Sequence, residues 1–215
     1  TTKGMVAICA NQLIERGELD IDAPVARYWP EFATAGKQDV PVRWLLSHKA
    51  GLCAISRPLP PNALYDWDRM CNALAEQEPW WTPGDGHGYH AFTFGFLVGE
   101  LVRRITGESV GTFFRKNVAE PLGADFHIGL APEHHARTSD VYSHAIGNLS
   151  ASPAAAPTAS GEFAELARAV MSPGTMQNAA FFNPPQARDA VNTSAWRRAE
   201  IPAANGHGTA HALAR

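Results

Sequence analysis

A chain of 215 residues, 45% of them apolar, can bury a core as one large domain or two small ones, which excludes wholesale disorder. A net charge of −3 with no basic run argues against nucleic acid or an anionic membrane surface as a partner, and no apolar stretch approaches the roughly 18 residues that span a bilayer. The three cysteines, Cys9, Cys53 and Cys71, are odd in number and widely spaced, so they read as reduced core thiols. They favour a cytoplasmic setting, although a chain that opens inside a motif leaves a preceding export signal undecided.

The first element is an amphipathic helix from Thr1 to Arg16. Met5, Val6, Cys9 and Leu13 recur three to four apart, Ile8 widens the stripe, and Gly17 ends the helix. Asp22 and Pro24 open a short helix to about Tyr28, and Val42 to His48 forms another before Gly51 turns the chain. Asp66 caps a helix to about Gln77 with Trp67, Met70, Cys71 and Leu74 facing inward. The stretch from Trp80 to His90 is too rich in glycine and proline for a regular element and is expected to be an ordered loop, the kind of place where chemistry sits. Phe92 to Ile105 is the clearest helix, stopped by Gly107, and its Gly95 and Gly99 predict close approach of a neighbouring backbone. Ser109 caps a further helix through Val118, and Phe126 to Leu130 alternates like one strand. Ser150 to Gly161 reads as an irregular connection, followed by helices over Glu162–Met171, Pro185–Val191 and Thr209–Arg215.

Lys3 stands in the first turn of the opening helix, where burial and the positive helix end both disfavour a cation. A lysine shifted toward its neutral form can take a proton from a hydroxyl one turn away, which is how a serine nucleophile is activated. That hydroxyl would lie three residues upstream, just before Thr1.

Four stretches fall in a telling order: Thr1-Thr2-Lys3-Gly4, then Leu45-Leu46-Ser47-His48-Lys49-Ala50-Gly51-Leu52, then Pro83-Gly84 with Tyr89-His90-Ala91, then Glu120-Pro121-Leu122-Gly123. The set resembles the serine β-lactamase and penicillin-binding-protein superfamily, most closely its class C-like branch with the β-lactamase-type, family VIII carboxylesterases. The resemblance implies an α/β fold of the serine β-lactamase/transpeptidase type, of which this chain covers mainly the helical subdomain and the catalytic helix. Residues 1–19 would form that helix and residues 20–215 the mostly helical remainder and a return segment, within one partial domain. It also implies that Lys3 belongs to an SxxK motif whose serine precedes Thr1, and that Tyr89 is the tyrosine sharing its proton, the two converging within hydrogen-bonding reach. Which of the two is the base stays open. The third position of the tyrosine motif is Ala91, not asparagine, which favours small esters over β-lactams.

The leading expectation is therefore a serine hydrolase forming an acyl-enzyme on small esters, with a β-lactamase or D-Ala-D-Ala peptidase as the same-fold alternative and a catalytically silent binding or structural fragment as the alternative of another class. As given, the chain lacks the serine and the family's late strand motif and is expected to be inactive alone. No cofactor or metal is implied, and the oligomeric state is open. His207 and His211 stand four apart like a zinc pair, but Gly208 takes the place of a general-base glutamate and a third ligand has no candidate, so the stretch reads as a loop leading into a helix capped near Thr209. His134-His135 and His87 read as surface or loop residues, whereas His90 keeps interest beside Tyr89. Asn148-Leu149-Ser150 fits a glycosylation sequon without further support.

Overall fold

A computed structural model describes residues 1–142, 161–187 and 189–214. Helix α1 (Thr2–Glu15) packs on α4 (Thr93–Thr106), and α4 in turn carries α2 (Val42–Leu46), α3 (Trp67–Glu76) and α5 (Val110–Phe114). One helical run continues α5 through a wider π turn at Arg115–Ala119 into α6 (Glu120–Leu122), ending at left-handed Gly123. Beyond it come α7 (Glu162–Met171), α8 (Met176–Phe182), α9 (Ser194–Arg198) and α10 (Ala210–Leu213).

Helix α4 is central because every residue from Thr93 to Val102 is buried. Phe96, Leu97 and Leu101 share one core with Val6, Cys9 and Leu13 of α1 and with Trp29, Phe32 and Leu45. Burying a side chain of this size is worth about 1.5–3 kcal/mol, so the α1–α4 seam is a major source of stability. Ile8 departs from the expected stripe: it is 39% exposed, and Ala10 takes the inward position. One carboxylate of α4 is not a surface group. Glu100 is fully buried, and it accepts hydrogen bonds from Arg103, Arg104 and the Trp67 indole. Burial alone would raise its pKa, but those partners hold the carboxyl below the usual range.

The caps follow the sequence. Asp66 accepts from the Arg69 amide, Ser109 from that of Thr112, and Thr209 from that of Ala212. Gly95 meets backbone as expected, since a Cβ there would lie 2.5 Å from the Ala203 nitrogen; Gly99 instead faces the Trp67 ring at 2.7 Å.

Three expectations change. The segment after Asp22 forms only a 3₁₀ turn at Val25–Arg27, begun after Pro24. The Pro185–Val191 helix is reduced to a 3₁₀ turn at Ala190–Asn192, a segment too short to hold a helix by propensity alone, while α8 and α9 form on either side under Thr175 and Thr193 caps. The stretch before Thr209 is not a loop: Gly206–Gly208 is strand β2, antiparallel to β1 (Phe126–Ile128), with Phe126 opposite Gly208 and His127 opposite His207. Residues 150–160 of the expected connection and the Asn148 sequon lie outside the described residues. Among the described residues the sheet is thus a two-stranded fragment beside a helical body.

Candidate active site

Helix α1 begins against the segment that ends in β2. Thr2, 6% exposed, accepts a hydrogen bond from the Gly206 amide through its Oγ1 at 3.0 Å. That anchor fixes the first turn, and Lys3 follows it, half-buried. The Lys3 amine donates to the Ala91 carbonyl at 2.7 Å and to the Ala203 carbonyl at 3.0 Å, and lies over the Tyr89 ring, 4.6 Å from its centroid. The two residues singled out from sequence are therefore brought together, with the amine facing the ring and its hydrogen bonds going to main-chain oxygens.

Tyr89 comes from the glycine-rich loop, which is ordered by contact with two indoles. A Cβ on Gly84 would strike Trp44 at 2.5 Å, and one on Gly88 would strike Trp81 at the same distance. Only glycine lets the chain lie this flat on both rings, and Gly84 additionally holds a φ of +94°. The loop also bonds back to the segment after α2: the Trp80 amide donates to the Gly51 carbonyl and the Gly84 amide to the Lys49 carbonyl. Tyr89 itself is 56% exposed, so a small molecule can reach its phenol.

Three histidines meet at Tyr89, with His87 and His90 coming from the loop itself and His48 from the segment after α2. The His48 ring lies 5.3 Å from that of Tyr89, 5.2 Å from His90 and 5.9 Å from His87. Burial pushes the His48 imidazole down to about 4, helped by the charge of Lys3, and burial does the same for His90.

Sequence reasoning did not find the Ala203 carbonyl or what places it. Asn205, 2% exposed, accepts from the Ile201 amide and donates to the Trp196 and Ala199 carbonyls, folding residues 196–206 into a tight clasp. The Asn205-Gly206 pair is a turn signal that marks the bend but not its partner. His207 stands in β2 and His211 in α10, and among the described residues no group of three or more histidine, cysteine or acidic side chains is placed to hold a metal ion.

A lysine amine held by two carbonyls over an accessible tyrosine, at the start of a buried helix, can accept and pass a proton. Comparison with known proteins gives the chain a family. The β-lactamase family model matches residues 1–215. The esterase/β-lactamase LipL of Mycobacterium tuberculosis is 36% identical over all of this chain, which covers 48% of it. Among solved structures, a penicillin-binding-protein homologue from Caulobacter crescentus superposes with a TM-score of 0.79 at 39% identity, over 99% of this chain and 52% of that one. A family VIII carboxylesterase gives 0.77 at 38%, over 97% and 50%. The chain spans about half the length of these relatives, and it belongs to the β-lactamase family, of whose fold it forms chiefly the helical part.

Proposed function

We propose that this chain carries the general-base half of a serine hydrolase that acts on small esters through an acyl-enzyme. The nucleophile is the serine of an SxxK motif three residues before Lys3, and Lys3 and Tyr89 share its proton path. The serine oxygen attacks the ester carbonyl, its proton passes to the Lys3–Tyr89 pair, and the pair returns the proton to the leaving alkoxide. Water then cleaves the acyl-serine by the same path, releasing the acid and restoring the serine.

The observation that carries this reading is the hydrogen bonding of the Lys3 amine. Two bonds go to the Ala91 and Ala203 carbonyls, which can only accept. The nitrogen has three positions beyond its bond to carbon, and the two carbonyls engage two of them, which leaves one through which a proton can pass. The Tyr89 ring beside it supplies a phenol open to substrate. Ala91 supports esters over β-lactams: its methyl is buried, and no carboxamide is offered at this position to an amide side chain. Residues 1–19 are read as the catalytic helix and residues 20–215 as the helical subdomain with its return segment.

The test is a double-mutant cycle in the full-length hydrolase. Lys3→Ala and Tyr89→Phe should each lower acylation by roughly 10²–10⁴-fold with little change in the unfolding midpoint, and together should cost far less than the product. Additive losses, or turnover of a chromogenic cephalosporin faster than of a short-chain nitrophenyl ester, would overturn the proton-sharing or the ester assignment respectively.

A further inference from the structure

Tyr89 is an exposed side chain on an irregular loop, yet it must stand at one place over Lys3. Its neighbours explain how it is held. The Gly88 amide donates to the His48 carbonyl at 3.2 Å, and the His90 amide donates to His48 Nδ1, also at 3.2 Å. On the other side, the Leu52 amide donates to His90 Nε2 at 3.3 Å, and His90 Nδ1 lies 2.6 Å from the Gly88 carbonyl. A carbonyl oxygen only accepts, so His90 carries its hydrogen on Nδ1 and presents a bare Nε2 to Leu52. His48 presents a bare Nδ1 to His90 by the same reasoning. Both rings are therefore neutral, in opposite tautomers, and together they hold the residues on each side of Tyr89.

We infer that His48 and His90 are positioning residues that set the place of the Tyr89 phenol by accepting main-chain amides through their ring nitrogens. This rests on the role proposed for Tyr89. Neither histidine need touch substrate. His48 pays for the arrangement with a left-handed backbone, φ +60°, which is unusual for a residue with a side chain and brings its ring and its own carbonyl to bear on the same loop. The surroundings favour the neutral rings. Burial pushes both imidazoles down to about 4, outweighing the Gly88 carbonyl that favours a charged His90, while Lys3 from α1, His87 from the loop and, for His90, His48 itself oppose a positive charge. The remaining ring packed on His48 from α4, Phe94 at 5.1 Å, is uncharged. Protonating His48 Nδ1 would set one N–H against another and release His90.

Two substitutions separate the acceptor from the backbone. Glycine and asparagine both tolerate the left-handed conformation, but only asparagine offers an oxygen near the position of Nδ1. In the full-length hydrolase, His48→Gly should lower kcat/KM for a nitrophenyl ester by roughly 10- to 100-fold, the scale expected from a small displacement of a catalytic group, whereas His48→Asn should keep most of the rate. Amide hydrogen exchange over residues 84–91 should quicken in His48→Gly and stay near wild type in His48→Asn. If His48→Gly does not fold, His90→Met and His90→Gln should divide in the same way. Equal exchange in the glycine and asparagine variants would overturn the inference. A split in exchange with no split in rate would uphold the clasp and instead overturn the assignment of Tyr89 to catalysis.

Discussion

Two lysines in this protein are held by main-chain carbonyls, at opposite kinds of helix end. Lys37 is fully buried and donates to the carbonyls of Thr34, Ala75 and Gln77 at 2.9, 2.9 and 2.6 Å, the last two at the C-terminal end of α3. Burial pulls its amine down to about 8, yet its three donors meet three acceptors and the negative helix end favours the charge at neutral pH. Lys3 sits at the N-terminal end of α1 with two carbonyls and an aromatic face. Saturation makes Lys37 a structural pin. Lys3 makes only two such bonds, beside an accessible ring, and the proposed proton path uses the third position.

The largest stability effect should appear on the Lys3 side as acid sensitivity. His90 is fully buried and its pKa is depressed to about 4, so between about pH 6.5 and 4 the unfolded chain binds the proton and the folded one does not. Stability is fully present above about 6.5 and should fall by about 3 kcal/mol as the pH drops to 4. His48 adds a smaller fall, being only half-buried. Urea midpoints at several pH values measure this, and His90→Gln should flatten most of the slope. A slope unchanged by that substitution would place the acid sensitivity elsewhere.

Lys37→Met comes next. The Thr34 carbonyl keeps the Lys37 amide and the Ala75 carbonyl keeps the Thr34 hydroxyl, so the Gln77 carbonyl is the acceptor that the substitution strips of its donor. Leaving it bare should lower stability by about 2 kcal/mol, while ester turnover per folded molecule stays the same. Loss of turnover without loss of stability would erase the contrast between the two lysines. The smallest effect belongs to the other end of the same helix: Asp66→Ala removes the α3 cap and should cost about 1 kcal/mol in the same urea titration, again without changing turnover.

The parts of the fold that could be read from the sequence are those whose signals are local. The α1, α3 and α4 stripes and the caps at Asp66, Ser109 and Thr209 needed only near neighbours. Strand β2 did not show itself, because Gly-His-Gly has no strand preference. It is flat for a tertiary reason: a Cβ on Gly206 or Gly208 would strike the Phe126 ring at 2.5 or 2.4 Å. The candidate-site residues divide the same way. Lys3 and Tyr89 have distinctive side chains in a recognisable order, whereas the acceptors that hold Lys3 are backbone carbonyls, and an alanine carbonyl leaves no mark in a sequence. His48 was visible as part of a motif, but the use of its ring nitrogen depends on a left-handed backbone that histidine seldom adopts.

The clasp around Ala203 also fixes when the site can exist. The Lys3 amine is held by a carbonyl 200 residues away in the chain, and Thr2 by an amide 204 residues away. The equilibrium penalty for such distance is small, since each doubling of a loop costs only about 0.6 kcal/mol. The delay is not. At the usual pace of synthesis, roughly 5–20 residues per second, α1 waits on the order of 10–40 s for residues 200–206 to appear. Through that interval the amine has neither its Ala203 acceptor nor the Gly206 anchor beside it, so a ribosome-bound chain carries the lysine long before it carries the lysine's place in the fold.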